Sequence, residues 1–261
     1  MTTPLYDTIG KRYAETRRPE PAVREALRGA LADARTVLNV GAGSGSYEPA
    51  DRAVVALEPS PTMIRQRHAL GAPVVRGVAE ALPFADHTFD AAMAILTIHH
   101  WPDLAGGLAE LARVARDRVV LFTRDPAHAL FWLTDDYFPA IAALDAAVFP
   151  SLATLARHLG PPRVDPVPIP HDCRDGFLAA YWRRPERYLD PVARAGISAF
   201  SRIADPGPGL ARLADDLETG RWRARHGDLL ERPELDLGYR ILTFVLPFND
   251  RFARGARGSR R

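Results

Sequence analysis

The stretch from Thr36 to Tyr47 constrains this chain more than any other. Thr36-Val37-Leu38-Asn39-Val40 runs straight into Gly41-Ala42-Gly43-Ser44-Gly45-Ser46-Tyr47. The first five residues, β-branched and apolar apart from Asn39, read as a buried strand. Glycines at alternate positions accept positive φ without a steric penalty and carry no Cβ to hold a ligand away. A second run, Ala53-Val54-Val55-Ala56-Leu57, ends at Glu58, whose two oxygens suit the two hydroxyls of a ribose. Strand, glycine loop, strand and acid together point to a nucleotide-type cofactor.

The remainder of the first half repeats the alternation. Leu5, Tyr6, Ile9 and Tyr13 have helical spacing, Arg17 to Pro21 break that helix, and Val23, Leu27 and Leu31 mark the next. Ser60-Pro61 caps a helix through about Leu70, and Pro73–Arg76 makes a third strand. Asp90–Leu96 makes a fourth, Pro102-Asp103 opens a helix, and Arg118–Thr123 makes a fifth. Five strands alternating with helices imply a parallel α/β sheet. Only seven residues, Ser46 to Arg52, separate Gly45 from the second strand, room for about one helical turn.

After Thr123 the texture becomes aromatic and helical, and Arg163–Ile169 is extended and broken by proline. Short helices over 174–228 follow, then a last strand over Leu237–Leu246 and an arginine-rich tail expected to be disordered. The division read from this is N-terminal lid helices (1–34), a cofactor-binding core (35–125) and a helical cap insertion (126–160). Sheet completion with an inserted helical substrate cap (161–250, the cap at 174–228) and the basic tail (251–261) complete it. With 47% hydrophobic and 25% charged residues and a net charge of +2, nothing global argues for nucleic acid or a membrane. No apolar run reaches about 18 residues and no signal peptide is seen, so a cytoplasmic protein, monomer or homodimer, is expected. Cys173 is the only cysteine, without metal-ligand spacing around it, and no metal is expected.

Three motifs in order carry a family resemblance. Val37 to Gly45 resembles the first motif of class I S-adenosylmethionine-dependent methyltransferases. Gly77-Val78-Ala79-Glu80-Ala81-Leu82-Pro83-Phe84 resembles their adenine-side motif, and Phe89-Asp90-Ala91-Ala92 through His99-His100-Trp101 their fourth-strand motif. The subgroup is similar to the ubiquinone/menaquinone-type small-molecule enzymes, and the likeness covers about residues 6–123. Ser46 stands where a dinucleotide fold would want another glycine. The resemblance implies a Rossmann-like, mostly parallel seven-stranded sheet with an antiparallel last strand and a helical cap. It implies S-adenosylmethionine (AdoMet) as cofactor, at the C-terminal ends of the strands.

On this sequence it implies that Gly41, Ala42, Gly43 and Gly45 pass under the methionine and ribose, beside Asn39, which stands where an acid is commoner. Glu58 would take the ribose hydroxyls. Pro59 and Met63 would line adenine, with Ala79 and Glu80 at its edge and Val78 where an aspartate often stands. Leu96 and Thr97 would face the methionine portion. Tyr6 and Tyr13 would form a lid, and Arg17 would pair with the cofactor carboxylate.

Methyl transfer from a sulfonium needs alignment and dryness first, and a base only if the acceptor is protonated. The candidate bases are His171, His100 and His99, each also able to serve as a structural histidine. Asp125, Trp132, Tyr137, Tyr181 and Trp182, with Tyr6, are candidates for the acceptor pocket; plain core packing or helix capping is the competing role. The expected activity is methyl transfer to a small, largely apolar, natural-product-like molecule. The alternatives are a same-fold enzyme with a non-methylating reaction such as cyclisation, and a non-catalytic AdoMet-binding module.

Overall fold

The computed structural model describes residues 6–7, 16–69, 71–128 and 131–247. Five parallel strands come first: β1 (Thr36–Val40), β2 (Ala53–Glu58), β3 (Val74–Arg76), β4 (Phe89–Ile95) and β5 (Ala115–Arg124). The short strand β6 (Arg163–Pro166) follows, then a two-stranded ribbon of β7 (Ile169–Pro170) and β8 (Glu234–Leu235), then β9 (Tyr239–Val245). The main sheet has seven strands in the order β3-β2-β1-β4-β5-β9-β6, and β9 runs antiparallel to both neighbours. This is the expected Rossmann-like arrangement.

Side chains alternate across a strand, and the alternation sorts the sheet into two cores. Val37, Ala91, Met93, Val120, Phe122 and Ile241 face one side, where helix α1 (Pro21–Leu31) and the aromatic second half pack. Leu38, Val40, Ala92, Ala94, Val119, Leu121 and Phe244 face the other, with Leu108 and Leu111 of a helix introduced below. In α1, Pro21 occupies the first turn, and Val23, Leu27, Ala30 and Leu31 make one buried stripe.

Helix α2 (Pro61–Arg65) is capped as expected, with the Met63 amide donating to Ser60 Oγ at 3.2 Å, but it stops five residues short of Leu70. The reason lies at Arg67, which turns inward to pair with Glu48 at 2.7 Å, both side chains at least nine-tenths buried. Residues 46–52 form turns and no helix. Instead Glu48 accepts from Asn39 Nδ2 at 3.2 Å, and Arg67 donates to the Gly43 carbonyl at 3.3 Å. An ion pair therefore braces the glycine loop where a longer chain would place a helix.

Helix α3 (Leu104–Val114) is capped by Asp103, whose carboxylate accepts from the Gly106 amide. The stretch Pro139–Leu159 is long and apolar enough, by length and composition, to cross a membrane, contrary to expectation; its mean hydropathy is 1.5. The backbone nonetheless divides it into α4 (Pro139–Val148) and α5 (Leu152–Leu159), because Phe149 is extended and Ser151 starts a new cap. Leu155 and Leu159 of α5 pack in the core beside α3.

Candidate functional site

Three positive φ angles, +67° at Gly41, +55° at Gly43 and +85° at Gly45, fold the loop after β1 back over the sheet's C-terminal edge. At Gly41 an added Cβ would lie 2.2 Å from Thr97 Oγ1, so only glycine fits between the loop and the end of β4. Leu96 also has positive φ, +49°, an unusual state for a bulky residue and one met where a site constrains the chain. Its amide donates to the Phe122 carbonyl at 2.8 Å, which holds the turn.

These turns open a cavity of about 250 Å³ at the ends of β1, β2 and β4. Gly41, Gly43, Glu58, Pro59, Met63, Ala79, Glu80, Leu96, Thr97, Tyr6 and His100 all border it. Glu58 is buried, with Oε2 accepting from the Gly43 amide at 2.8 Å and Oε1 from the Ser60 amide at 2.9 Å. Burial raises its pKa, while the two amides and Arg67 pull it back. A carboxylate has about four acceptor positions, so two remain for a pair of hydroxyls. Pro59, Met63, Val78 and Trp101 add apolar lining. Among the described residues no Lys or Arg lines this cavity, and two carboxylates do. That charge balance suits a neutral or cationic ligand and disfavours the phosphates of a dinucleotide. The residues thus fit AdoMet.

A second cavity, of about 60 Å³, adjoins the first; Tyr6 and Leu96 line both. Its walls are apolar at Leu144, Val148, Phe149, Phe177 and Ile197, and polar at Asp145, Arg202, His99 and Arg17. Burial pushes the Asp145 carboxyl up to about 6, with Arg124 and Arg202 pulling the other way. His99 stacks on Phe149 at a centroid distance of 4.2 Å, and its Nδ1 is buried without a hydrogen-bond partner. Burial chiefly, and His100 and Arg202 besides, hold it well below the usual imidazole range. His100 faces the cofactor cavity, 3.2 Å from the Tyr6 hydroxyl through Nε2, and burial lowers it to about 4. Both histidines are therefore neutral at pH 7.

Several expected site residues lie elsewhere. His171 is exposed on the β7–β8 ribbon, with its amide donating to the Pro233 carbonyl at 2.9 Å, and it borders neither cavity. Trp132 and Trp182 are core residues whose indole N–H groups donate to the carbonyls of Trp182 and Ile169. Tyr137 donates to Asp216 at 2.8 Å, and Tyr181 lies buried under Arg184 and Arg187. Asp125 accepts from the Ala127 amide, a turn contact. For the four aromatic residues, hydrogen-bond or cation–π partners within the fold have claimed the side chain, so packing won over ligand contact. Arg17 pairs bidentately with buried Asp175, and so is not free for a cofactor carboxylate; it lines the second cavity instead. Asn39, Ala42 and Gly45 support the loop from outside the cavity lining. Tyr13 lies outside the described residues.

Asp145, Arg202 and Phe149 were not anticipated. Asp145 is one buried acid among the alanines of α4, and an acid in so apolar a helix was the one available signal. Among the described residues no cluster of three or more His, Cys, Asp or Glu could hold a metal.

The family described as "Methyltransferase domain" matches residues 38–123. One similar solved structure, assigned as a methyltransferase from an antibiotic biosynthesis pathway of Anabaena variabilis ATCC 29413, is 34% identical. Its TM-score is 0.81, and the match covers 88% of this chain and 99% of that one. Similar curated proteins include 2-methyl-6-phytyl-1,4-hydroquinone methyltransferase 2, chloroplastic, of Oryza sativa subsp. japonica (34% identical, covering 38% of this chain and 31% of the relative). Demethylmenaquinone methyltransferase of Corynebacterium kroppenstedtii is 31% identical over 43% of this chain and 54% of the relative. The chain thus spans about a third to a half of the length of these curated relatives. With the glycine turn, the acid at the tip of β2 and a likeness that runs through nearly the whole of a solved methyltransferase, this chain belongs to the class I S-adenosylmethionine-dependent methyltransferases.

Proposed function

We propose that the protein transfers a methyl group from AdoMet to a small, largely apolar molecule seated in the second cavity. The observation that carries this reading is the junction at Leu96 and Tyr6, where a cavity shaped for an adenosyl cofactor opens on one lined mainly by apolar side chains. AdoMet supplies an electrophilic methyl on sulfur with a neutral leaving group. The chain's own residues bind and align. Glu58 grips the ribose, and Gly41 and Gly43 bring the backbone close. Leu96, Thr97 and Tyr6 fix the boundary across which the acceptor approaches.

Holding the reactants in line and keeping water out supplies much of the rate gain. Neutral His100 leaves the positive charge of a sulfonium unopposed at this boundary. The cap, residues 126–160 and 174–228, closes the acceptor side. The hydroquinone and demethylmenaquinone in the relatives' names support a ring-shaped acceptor.

Calorimetry with AdoMet, S-adenosylhomocysteine and NAD tests the cofactor half of the reading. Both sulfur ligands should bind and NAD should not; failure of both to bind overturns it. Incubation with methyl-labelled AdoMet and a panel of small aromatic and aliphatic acceptors tests the transfer. Tight cofactor binding with no label on any acceptor favours a non-methylating reaction in the same fold.

A further inference from the structure

Among the polar groups that the second cavity leaves open, one is an acid. Asp145 is only 5% exposed, yet its carboxylate makes no ion pair and no hydrogen bond among the described residues. Among the described residues every other buried acid is engaged, Glu20 by the Arg174 amide. Glu58 accepts two amides, Asp175 holds Arg17 and the Tyr47 hydroxyl, and Asp216 holds Tyr137, Arg221 and Arg225. A buried polar group left without a partner costs roughly 1–3 kcal/mol, and more when charged. Such a cost persists where a ligand supplies the missing partner.

The surroundings narrow the ligand. Phe149, Phe177 and the His99 ring offer flat apolar faces. By the roughly 15 Å³ that one water needs, the cavity of about 60 Å³ has room on the scale of a single small ring. The charged and titratable groups facing Asp145 are Arg124 on β5, Arg202 near the cap, Tyr239 on β9, and His99 and Arg17 in the same wall. Arg17 is neutralised by Asp175 and His99 is neutral, while Arg202 makes no ion pair among the described residues. With Arg124, Arg202 and a sulfonium nearby, a cationic amine meets like charges. A neutral O–H donor satisfies the carboxylate without adding charge.

We propose that Asp145 is the specificity residue of the acceptor site, and that it selects a neutral, hydroxyl-bearing aromatic ring by accepting that hydroxyl's hydrogen bond. The assignment rests on the second cavity being the acceptor site of an AdoMet enzyme. It deepens that reading by naming the acceptor's class and the group that reads it. The hydrogen bond also orients the ring, with its face on Phe149 and Phe177 and its hydroxyl fixed at the α4 wall.

The test measures binding to the protein saturated with S-adenosylhomocysteine, using phenol, its methyl ether anisole, and benzylammonium as probes. Wild type should prefer phenol to anisole by roughly tenfold or more, the size of a hydrogen bond to a charged group. Asp145→Ala should bring that ratio close to one, and Asp145→Asn, which keeps an acceptor oxygen, should retain a preference between the two. S-adenosylhomocysteine affinity, measured on the same samples, reports that each variant is folded. An unchanged phenol-to-anisole ratio in Asp145→Ala, with cofactor binding intact, overturns the proposal. So does benzylammonium binding as tightly as phenol to wild type. Absence of cofactor binding in wild type would instead sink the methyltransferase reading on which the proposal rests.

Discussion

The two cavities meet at Leu96 and Tyr6 but are built by opposite means. The cofactor side joins the backbone of the glycine turns to the apolar side chains of Pro59, Met63, Val78 and Trp101. Glycine turns supply its floor, and the amides of Gly43 and Ser60 hold its one gripping side chain, Glu58. The second cavity, the proposed acceptor side, is made of side chains from five separate regions: the segment before α1, the end of β4, α4 with the turn after it, 177–202, and Tyr239 on β9. Two of its polar groups are left open, Asp145 and His99 Nδ1 having no hydrogen-bond partner among the described residues. A cofactor that never varies is met by fixed backbone, and the partner that sets specificity by replaceable side chains.

Substitutions can break that contrast. The largest effect is expected at Gly41. Gly41→Ala forces a left-handed alanine, at roughly 1–2 kcal/mol, and drives its Cβ into Thr97. AdoMet affinity should fall by about 100-fold or more by calorimetry, and an affinity within twofold of wild type would refute the close-approach argument. On the acceptor side the same size of effect should have the opposite sign. A carboxyl raised from 3.8 to about 6 by burial penalises the folded state once it ionises. Below pH 3.8 both folded and unfolded forms are protonated and the penalty vanishes; it grows from there to about pH 6 and is complete above. Asp145→Asn should therefore stabilise the protein by up to about 3 kcal/mol at pH 8 and hardly at all at pH 3. Urea melts at the two pH values check this, and equal gains at both would contradict the burial argument.

Smaller effects sharpen the comparison. Glu58→Ala should weaken AdoMet binding at least about tenfold through lost charge-assisted hydrogen bonds. Asp145→Ala should leave AdoMet binding within about twofold, so a matching loss in both would mean that the two cavities form one site. Because Glu58 is raised by burial, AdoMet affinity should also decline as pH falls into the acid range, where Glu58 takes up its proton. The smallest effect is expected at His171→Ala, where labelled methyl transfer should stay within about twofold, since the ring sits on the exposed ribbon. A tenfold loss there would restore His171 as the base.

The same division explains what the sequence disclosed. Gly41 and Glu58 were legible because strand, turn and acid are local patterns whose spacing is their geometry, whereas Pro59, Met63, Ala79 and Thr97 came only with the family resemblance that the three motifs carry. Even the missing helix after the loop was visible as a shortage of residues, although not the Glu48–Arg67 pair that takes its place, which joins positions 19 apart. The cap defeated the same reasoning. Trp132, Tyr137, Tyr181 and Trp182 have the composition of a ligand pocket, but they pack within the fold, on hydrogen-bond partners at Trp182, Asp216 and Ile169 and under Arg184 and Arg187, and line neither cavity. Asp145 was missed because the one signal it gave, an acid in an apolar helix, does not by itself separate a buried carboxylate from one on the helix's solvated face.

The Arg17–Asp175 pair has a consequence for the order in which the molecule is made. It links residues 158 apart, and the Tyr47–Asp175 bond links residues 128 apart, whereas β1 and β2 pair residues 17 apart, as Thr36 with Ala53. Contacts so distant along the chain carry a large closure entropy and accumulate slowly. Pulse-labelled amide exchange during refolding should show β1, β2 and β4 protected before residues 178–189. A nascent chain would on that account have its cofactor cradle before it has any means of choosing an acceptor.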